Sequence, residues 1–239
     1  MKTISKFTIA LLYMTGLQTR MALASPNSSR ECVVLIHGLG RSSTSMKRLE
    51  WNLARGGYQV VNVSYPSRKF GIEHLSENYL HKAVTAIPGN PRKIHFITHS
   101  MGGIILRQYL SSHSIKNLGS VVMLAPPNHG SEIVDALKTS RVGRWILGPA
   151  GCELGTDCAD FPRRFGALRC DTGVIAGTRS FNPFFSRMLP GPDDGKVSLA
   201  STKLEGAKGF VSVPSSHTWM AWRKTTIRHA VKFLQQGRF

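Results

Sequence analysis

The chain has 239 residues, 41% of them hydrophobic, which suits one α/β domain of the larger kind with a proper buried core. Its formal net charge of +18 is unevenly spread: +8 lies over residues 25–127 and +7 over 173–239, while 128–172 hold six bases and six acids. No internal repeat is visible and no interleaved aromatic and basic motif accompanies the charge, which argues against a repeat protein and a nucleic-acid binder and leaves a surface drawn to anionic lipid or other polyanions.

In chain order, Lys2 and Lys6 precede an apolar stretch from Phe7 to Leu17, and Ala22, Leu23 and Ala24 supply a small-x-small cleavage site. Residues 1–24 read as a secretory signal peptide, too short for a comfortable membrane span, with an uncleaved anchor as the alternative that Arg20 close to the cut keeps open. The mature chain, 25–239, is then periplasmic or secreted and loses three bases, leaving +15. Cys32 to Ile36 is a buried strand running into His37, Gly38, Leu39 and Gly40. Met46, Leu49 and Leu53 mark one helical face that stops at Gly56 and Gly57. Tyr58 to Val63 is a second strand, and Ile72, Leu75, Tyr79, Ala83 and Ile87 recur at helical spacing until Pro88.

An apolar run from Ile94 to Ile97 leads into Thr98, His99, Ser100, Met101, Gly102 and Gly103, followed by a helical segment. Val121 to Ala125 is a strand ended by Pro126 and Pro127; Val174 to Ala176 and Phe210 to Val213 are the remaining core strands. Ile227, Ala230, Val231 and Leu234 line the last helix. Strand and helix alternate, which predicts a mainly parallel sheet covered on both faces, with chemistry at the strands' carboxyl ends.

The long departure from that rhythm, about 128–172, carries Ile133, Val134, Leu137, Trp145, Ile146 and Leu147 in a stretch too broken for one helix. It reads either as a cap or lid shaping an acyl pocket or as a surface excursion stapled to the core. Cys32, Cys152, Cys158 and Cys170 remain after export, with three possible full pairings; Cys152 and Cys158 are the nearest pair, and Cys32 can be buried and free. No histidine stands near them at zinc-like spacing.

A serine held between a buried strand and a helix, with small residues just after it, meets the demands of a nucleophile elbow: the turn is so sharp that the hydroxyl is thrust out at the strand's end. Ser100 is therefore the candidate nucleophile. A hydroxyl needs a base to take its proton and a carboxylate to orient that base. Downstream, Asp193 and Asp194 stand in the turn-rich run Gly191 to Val197, and His217 follows the strand at Phe210 to Val213.

These residues resemble the α/β-hydrolase superfamily, and in particular bacterial secreted lipases and esterases, with Thr98 in place of the first glycine of G-x-S-x-G. The resemblance implies the α/β-hydrolase fold with a cap or lid insertion. Asp194, Gly195 and Val197 are similar to the D-G-x-V acid loop of bacterial lipases, so Asp194 is implied as the acid; Asp193, Glu132 and Asp135 stay as alternatives. The string His37, Gly38, Leu39, Gly40 resembles the H-G-x-G oxyanion loop, which implies the amides of Leu39 and Met101 as oxyanion donors and leaves His37 to shape the loop. Pro127, Gly130 and Ser131 resemble a turn of lipases related to the lipid-remodelling inositol deacylases. The expected activity is hydrolysis of carboxylic, lipid or other acyl esters by Ser100, His217 and Asp194, with no cofactor and no metal. Acyl transfer, amide hydrolysis and a noncatalytic binding role stay open, because fold and triad leave the acceptor undetermined. The expected partners are a small-molecule or lipid ester and the surface of an anionic membrane.

Overall fold

The computed structural model describes residues 30–157 and 161–239; the signal-peptide reading of 1–24 and the part played by Cys158 fall outside them. Six strands form one sheet in the order β2-β1-β3-β4-β5-β6, where β1 is Cys32–Ile36, β2 Gln59–Val63, β3 Ile94–His99, β4 Leu118–Leu124, β5 Thr172–Gly177 and β6 Gly209–Val213. Every neighbouring pair is parallel. All six agree with the apolar runs of the sequence to within a few residues at each end.

A strand turns alternate side chains to opposite faces, and β1 shows why its run is apolar throughout. Val34 and Ile36 join Phe96, Met123 and Val174 on one face, while Val33 and Leu35 join Ile97, Val122 and Ile175 on the other. The first face is covered by Met101–Ser112 and by a helical stretch over 72–85; the second by Lys47–Arg55 and Lys224–Gln236. Helices therefore lie on both faces, as the alternation predicts.

The helix that begins at Ile72 departs from its expected register. Ser76–His81 is a π turn between Ile72–Leu75 and Lys82–Thr85, so it holds one residue more than an α turn would. The buried stripe runs Ile72, Leu75, Leu80, Val84, and the expected Tyr79, Ala83 and Ile87 lie on its shoulder, only partly buried. A 3.6-residue period cannot anticipate the extra residue.

Between β4 and β5 the described residues make three helices, Glu132–Lys138, Arg141–Cys152 and the short Phe161–Arg164. The second is broken at Gly148, whose φ of 67° and ψ of 177° belong to glycine alone, and Pro149 follows. A side chain at Gly148 would run into the Arg68 carbonyl, so the break brings the insertion against the loop after β2. Cys32, Cys152 and Cys170 carry free thiols. Cys32 is buried and free, one of the readings open for it, and burial pushes its thiol up to about 11.

Candidate active site

Four loops at the carboxyl ends of the strands meet at Ser100. Its φ of 54° and ψ of −126° are an unusual conformation for a residue with a side chain, held because its N–H donates to the Leu124 carbonyl at 2.8 Å and Met101 starts a helix at once. The close approach that this turn demands falls on Gly102. A Cβ there would sit 2.5 Å from the Ile36 carbonyl oxygen and 2.6 Å from that of His37, so β1 and the elbow touch backbone to backbone. Thr98, in place of the pattern's first glycine, is fully buried, and a side chain on Gly103 would stand 3.2 Å from its Oγ1, so the packing there is tight.

The Ser100 hydroxyl lies 2.9 Å from His217 Nε2, and His217 Nδ1 lies 2.7 Å from Asp194 Oδ2. The structure thus brings together the three residues expected from the sequence, across 117 residues of chain. Asp194 is 2% exposed; its second oxygen, Oδ1, accepts from the N–H groups of Lys196 at 3.0 Å and Val197 at 2.9 Å. Both oxygens of the buried carboxylate are satisfied, which directs it at the imidazole. The N–H of His217 donates to the Asp194 carbonyl at 2.9 Å, tying the two loops together a second time.

Two of the alternative acids, Asp193 and Asp135, are engaged elsewhere. Asp193 Oδ1 accepts from Gly195 N–H at 2.6 Å and Ser186 Oγ at 2.9 Å, which makes it a turn former. Asp135 accepts from the backbone and hydroxyl of Thr156 and pairs with Lys138 at 3.0 Å, and Glu132 lies beside it at the start of the same insertion helix.

Gly38, Leu39 and Gly40 border the same cavity as Ser100 and His217. Met101 is the first residue of its helix, so its N–H has no intrahelical acceptor and is available at the helix's positive end. His37 is fully buried, stacked on Tyr65 with ring centres 3.9 Å apart, and the Tyr65 hydroxyl donates to its carbonyl oxygen. Burial lowers the His37 pKa, and its place inside the loop fits the shaping role expected of it. Ser67 Oγ accepts from Gly40 N–H at 3.0 Å and fastens the loop's far end.

Three supports were not visible in the sequence. His99 Nε2 donates to the His217 carbonyl at 2.9 Å; burial, then the nearby His217 charge, push its pKa well below the usual value, so it is a neutral donor. Tyr65 carries no motif; Ser131, marked in the sequence only as part of a lipase-like turn, donates from Oγ to the Lys196 carbonyl at 2.9 Å and joins the insertion to the acid loop. Each acts on a backbone carbonyl of a distant loop, and no spacing rule reports such a contact. The positions of His99 next to the serine and of Ser131 in its turn were the signals the sequence offered.

The cavity has a volume of about 380 Å³. Ser100 and His217 form its floor, and Ile133, Val134, Leu137, Ile146, Leu147 and Leu154 of the insertion form an apolar wall opposite. Among the described residues no group of three or more potential ligands could hold a metal ion, and no helix is long and apolar enough to cross a membrane.

Solved structures share this arrangement of strands and helices. The propeptide form of the Bacillus licheniformis lipase BlEst2 superposes with a TM-score of 0.68 at 21% identity, over 88% of this chain and 51% of that one, so the chain spans about half of that protein's length. A metagenomic carboxyl esterase gives 0.62 at 21% identity over 80% and 65%. An esterase from Exiguobacterium antarcticum gives 0.61 at 15% identity over 87% and 93%. No curated protein matches the chain by sequence. Residues 33–234 match the model of the alpha/beta hydrolase family, and with the parallel sheet and the elbow in place the chain belongs to that family.

Proposed function

We propose that the protein is a serine hydrolase of carboxylic esters, acting through an acyl-enzyme. The observation that carries this reading is the unbroken relay from Ser100 Oγ through His217 to the buried Asp194 carboxylate, at 2.9 and 2.7 Å. In the proposed mechanism His217 Nε2 takes the Ser100 proton as Oγ attacks the carbonyl carbon, and Asp194 stabilises the imidazolium. The amides of Leu39 and Met101 hold the oxyanion. His217 then protonates the leaving alcohol, and a water activated by the same nitrogen releases the acid and restores the serine. The lipases and esterases among the structural neighbours support the ester as substrate class.

Lipid or other acyl esters suit the cavity, because its insertion wall offers apolar side chains to an acyl chain. In this reading 128–172 form the cap. The same helix that lines the cavity with Leu147 exposes Val142, Trp145 and Ile146 to solvent, and the Arg68 guanidinium stacks over Trp145 at 5.5 Å. Apolar side chains beside unpaired bases support docking on an anionic lipid surface. The proposed export to the periplasm or medium rests on the sequence of residues 1–24.

The test is Ser100→Ala. Ester hydrolysis and labelling by a fluorophosphonate probe are expected to vanish while the far-ultraviolet dichroism of the native fold is kept. Labelling at the wild-type rate would overturn the assignment.

A further inference from the structure

The catalytic cavity is lined by bases as well as by apolar side chains. Arg41, Arg68 and Lys196 border it; the Arg68 guanidinium lies over Trp145 of the insertion, whereas Arg41 and Lys196 stand on the two loops that carry the machinery, Arg41 after the Gly38–Gly40 turn and Lys196 between Asp194 and Val197. No acid borders the cavity. A few bases elsewhere meet acids, as in Lys47 with Glu50, Arg92 with Glu31 and Lys208 with Asp171. Among the described residues neither Arg41 nor Lys196 forms an ion pair or a side-chain hydrogen bond.

The two cations also feel each other. Lys196 is exposed to solvent, yet partial burial and then the like charge of Arg41 lower its ammonium pKa, with Asp194 offsetting part of the effect. Two unpaired cations held beside a reacting serine repel one another in the empty site, and a bound anion would relieve that repulsion. The insertion side chains that line the cavity, Ile133, Val134, Leu137, Ile146, Leu147 and Leu154, are all apolar and suit the acyl chain. Lys196 also borders the cleft of Phe181, Thr218 and Trp219 that continues past His217, where the alcohol half of an ester would leave.

We propose that Arg41 and Lys196 form an anion subsite for the alcohol half of the ester, so that the preferred substrates are acyl esters whose leaving alcohol carries a phosphate or another fixed negative charge. This rests on the serine-hydrolase reading and names its substrate class. The charged group can belong to a lipid headgroup or to a soluble ester; the chemistry recognised is the same.

The experiment compares 4-sulfophenyl butyrate with its neutral match, 4-sulfamoylphenyl butyrate, on the full chain and on Arg41→Gln, Lys196→Met and the double variant. The ratio of kcat/KM, anionic over neutral, is expected to fall about tenfold for each cation removed, the scale of one charge-assisted hydrogen bond. Adding salt should reduce the ratio in the native chain and leave it flat in the double variant. Lys224→Met, on a surface helix away from the cavity, should leave the ratio alone. Native protein should also bind the product 4-hydroxybenzenesulfonate more tightly than 4-hydroxybenzenesulfonamide, a measurement that needs no variant. Dibutyrylglycerophosphate in free solution and phosphatidylglycerol in vesicles then separate the sources: preference in both arms or in either one, lost in the double variant, supports the subsite. A ratio that stays constant in the double variant, or falls as far in Lys224→Met, overturns it. Hydrolysis of both esters by Ser100→Ala at the native rate would instead overturn the serine-hydrolase reading itself, so the two failures are distinguishable.

Discussion

The two walls of the cavity are built on different principles. The sheet-side wall, with Ser100, Asp194 and His217, is determined several times over: each of the three is held by the backbone of a neighbouring strand or loop as well as by the relay. The insertion wall is apolar, joins the rest at a few points such as Gly148 against Arg68 and Ser131 on Lys196, and turns large side chains outward. The difference teaches where precision is needed. Proton transfer requires atoms placed to within a fraction of an ångström, whereas an acyl chain needs only a dry surface of the right size.

The sharpest way to break the comparison is at the acid. Asp194→Asn should lower turnover of an activated short ester by about 10⁴, as expected when the base is left in the wrong tautomer. Asp193→Asn should cost far less, since that side chain forms the turn and lies outside the relay. A reversed ranking, read from kcat on folded protein, would move the acid.

Next come the two close approaches, one per wall. Gly102→Ala forces a methyl into two carbonyl oxygens of the first wall and is expected to cost about 1–3 kcal/mol of stability together with most of the activity. Gly148→Ala strains the second wall, through its left-handed φ and the Arg68 carbonyl, and should lower the unfolding temperature while fluorophosphonate still labels Ser100. Equal loss of labelling in both would mean that the walls are one unit.

The buried histidines sharpen the picture further. Burial lowers the pKa of His37, His95 and His99, whereas an unfolded histidine titrates near 6.5. Below about pH 6.5 the unfolded chain binds protons that the folded chain refuses, so this stability is present above that pH and is lost as pH falls. The urea midpoint should decline from pH 7 toward 5, and His99→Gln should flatten the slope by about one proton, up to ~1.4 kcal/mol per pH unit. An unchanged slope would mean that His99 titrates as freely in the fold as outside it.

The smallest effect is expected on the outer face of the insertion. Trp145→Ser, at a side chain 73% exposed, should move stability by no more than about 0.5 kcal/mol and yet weaken adsorption to anionic vesicles in a sedimentation assay. Undiminished adsorption would remove Trp145 from the docking face.

The sequence was most legible where one physical rule governs a run of residues. Val33 to Ile36 are apolar because both faces of β1 are covered, and Ser100 with its small neighbours announces a sharp turn. Legibility failed where the cause lies elsewhere in the chain. The extra residue at Ser76–His81 shifts a helical face by local geometry that periodicity does not encode. His99, Tyr65 and Ser131 bind carbonyls of loops brought near only by the fold. The unpaired state of Arg41 and Lys196 is likewise a property of space, since many other bases in the same sequence look no different.

The order of strands has a consequence for the timing of synthesis. Ser100 follows β3, the Asp194 loop follows β5 and His217 follows β6, which occupies the sheet's edge and is the last of the six described strands to be synthesised. At a rate of about 5–20 residues per second, a growing chain completes its proposed nucleophile several seconds before its proposed base. In the proposed mechanism the serine has no partner to remove its proton during that interval, so hydrolytic power would appear in one step, when β6 docks, and gain of activity would be a clock for completion of the sheet.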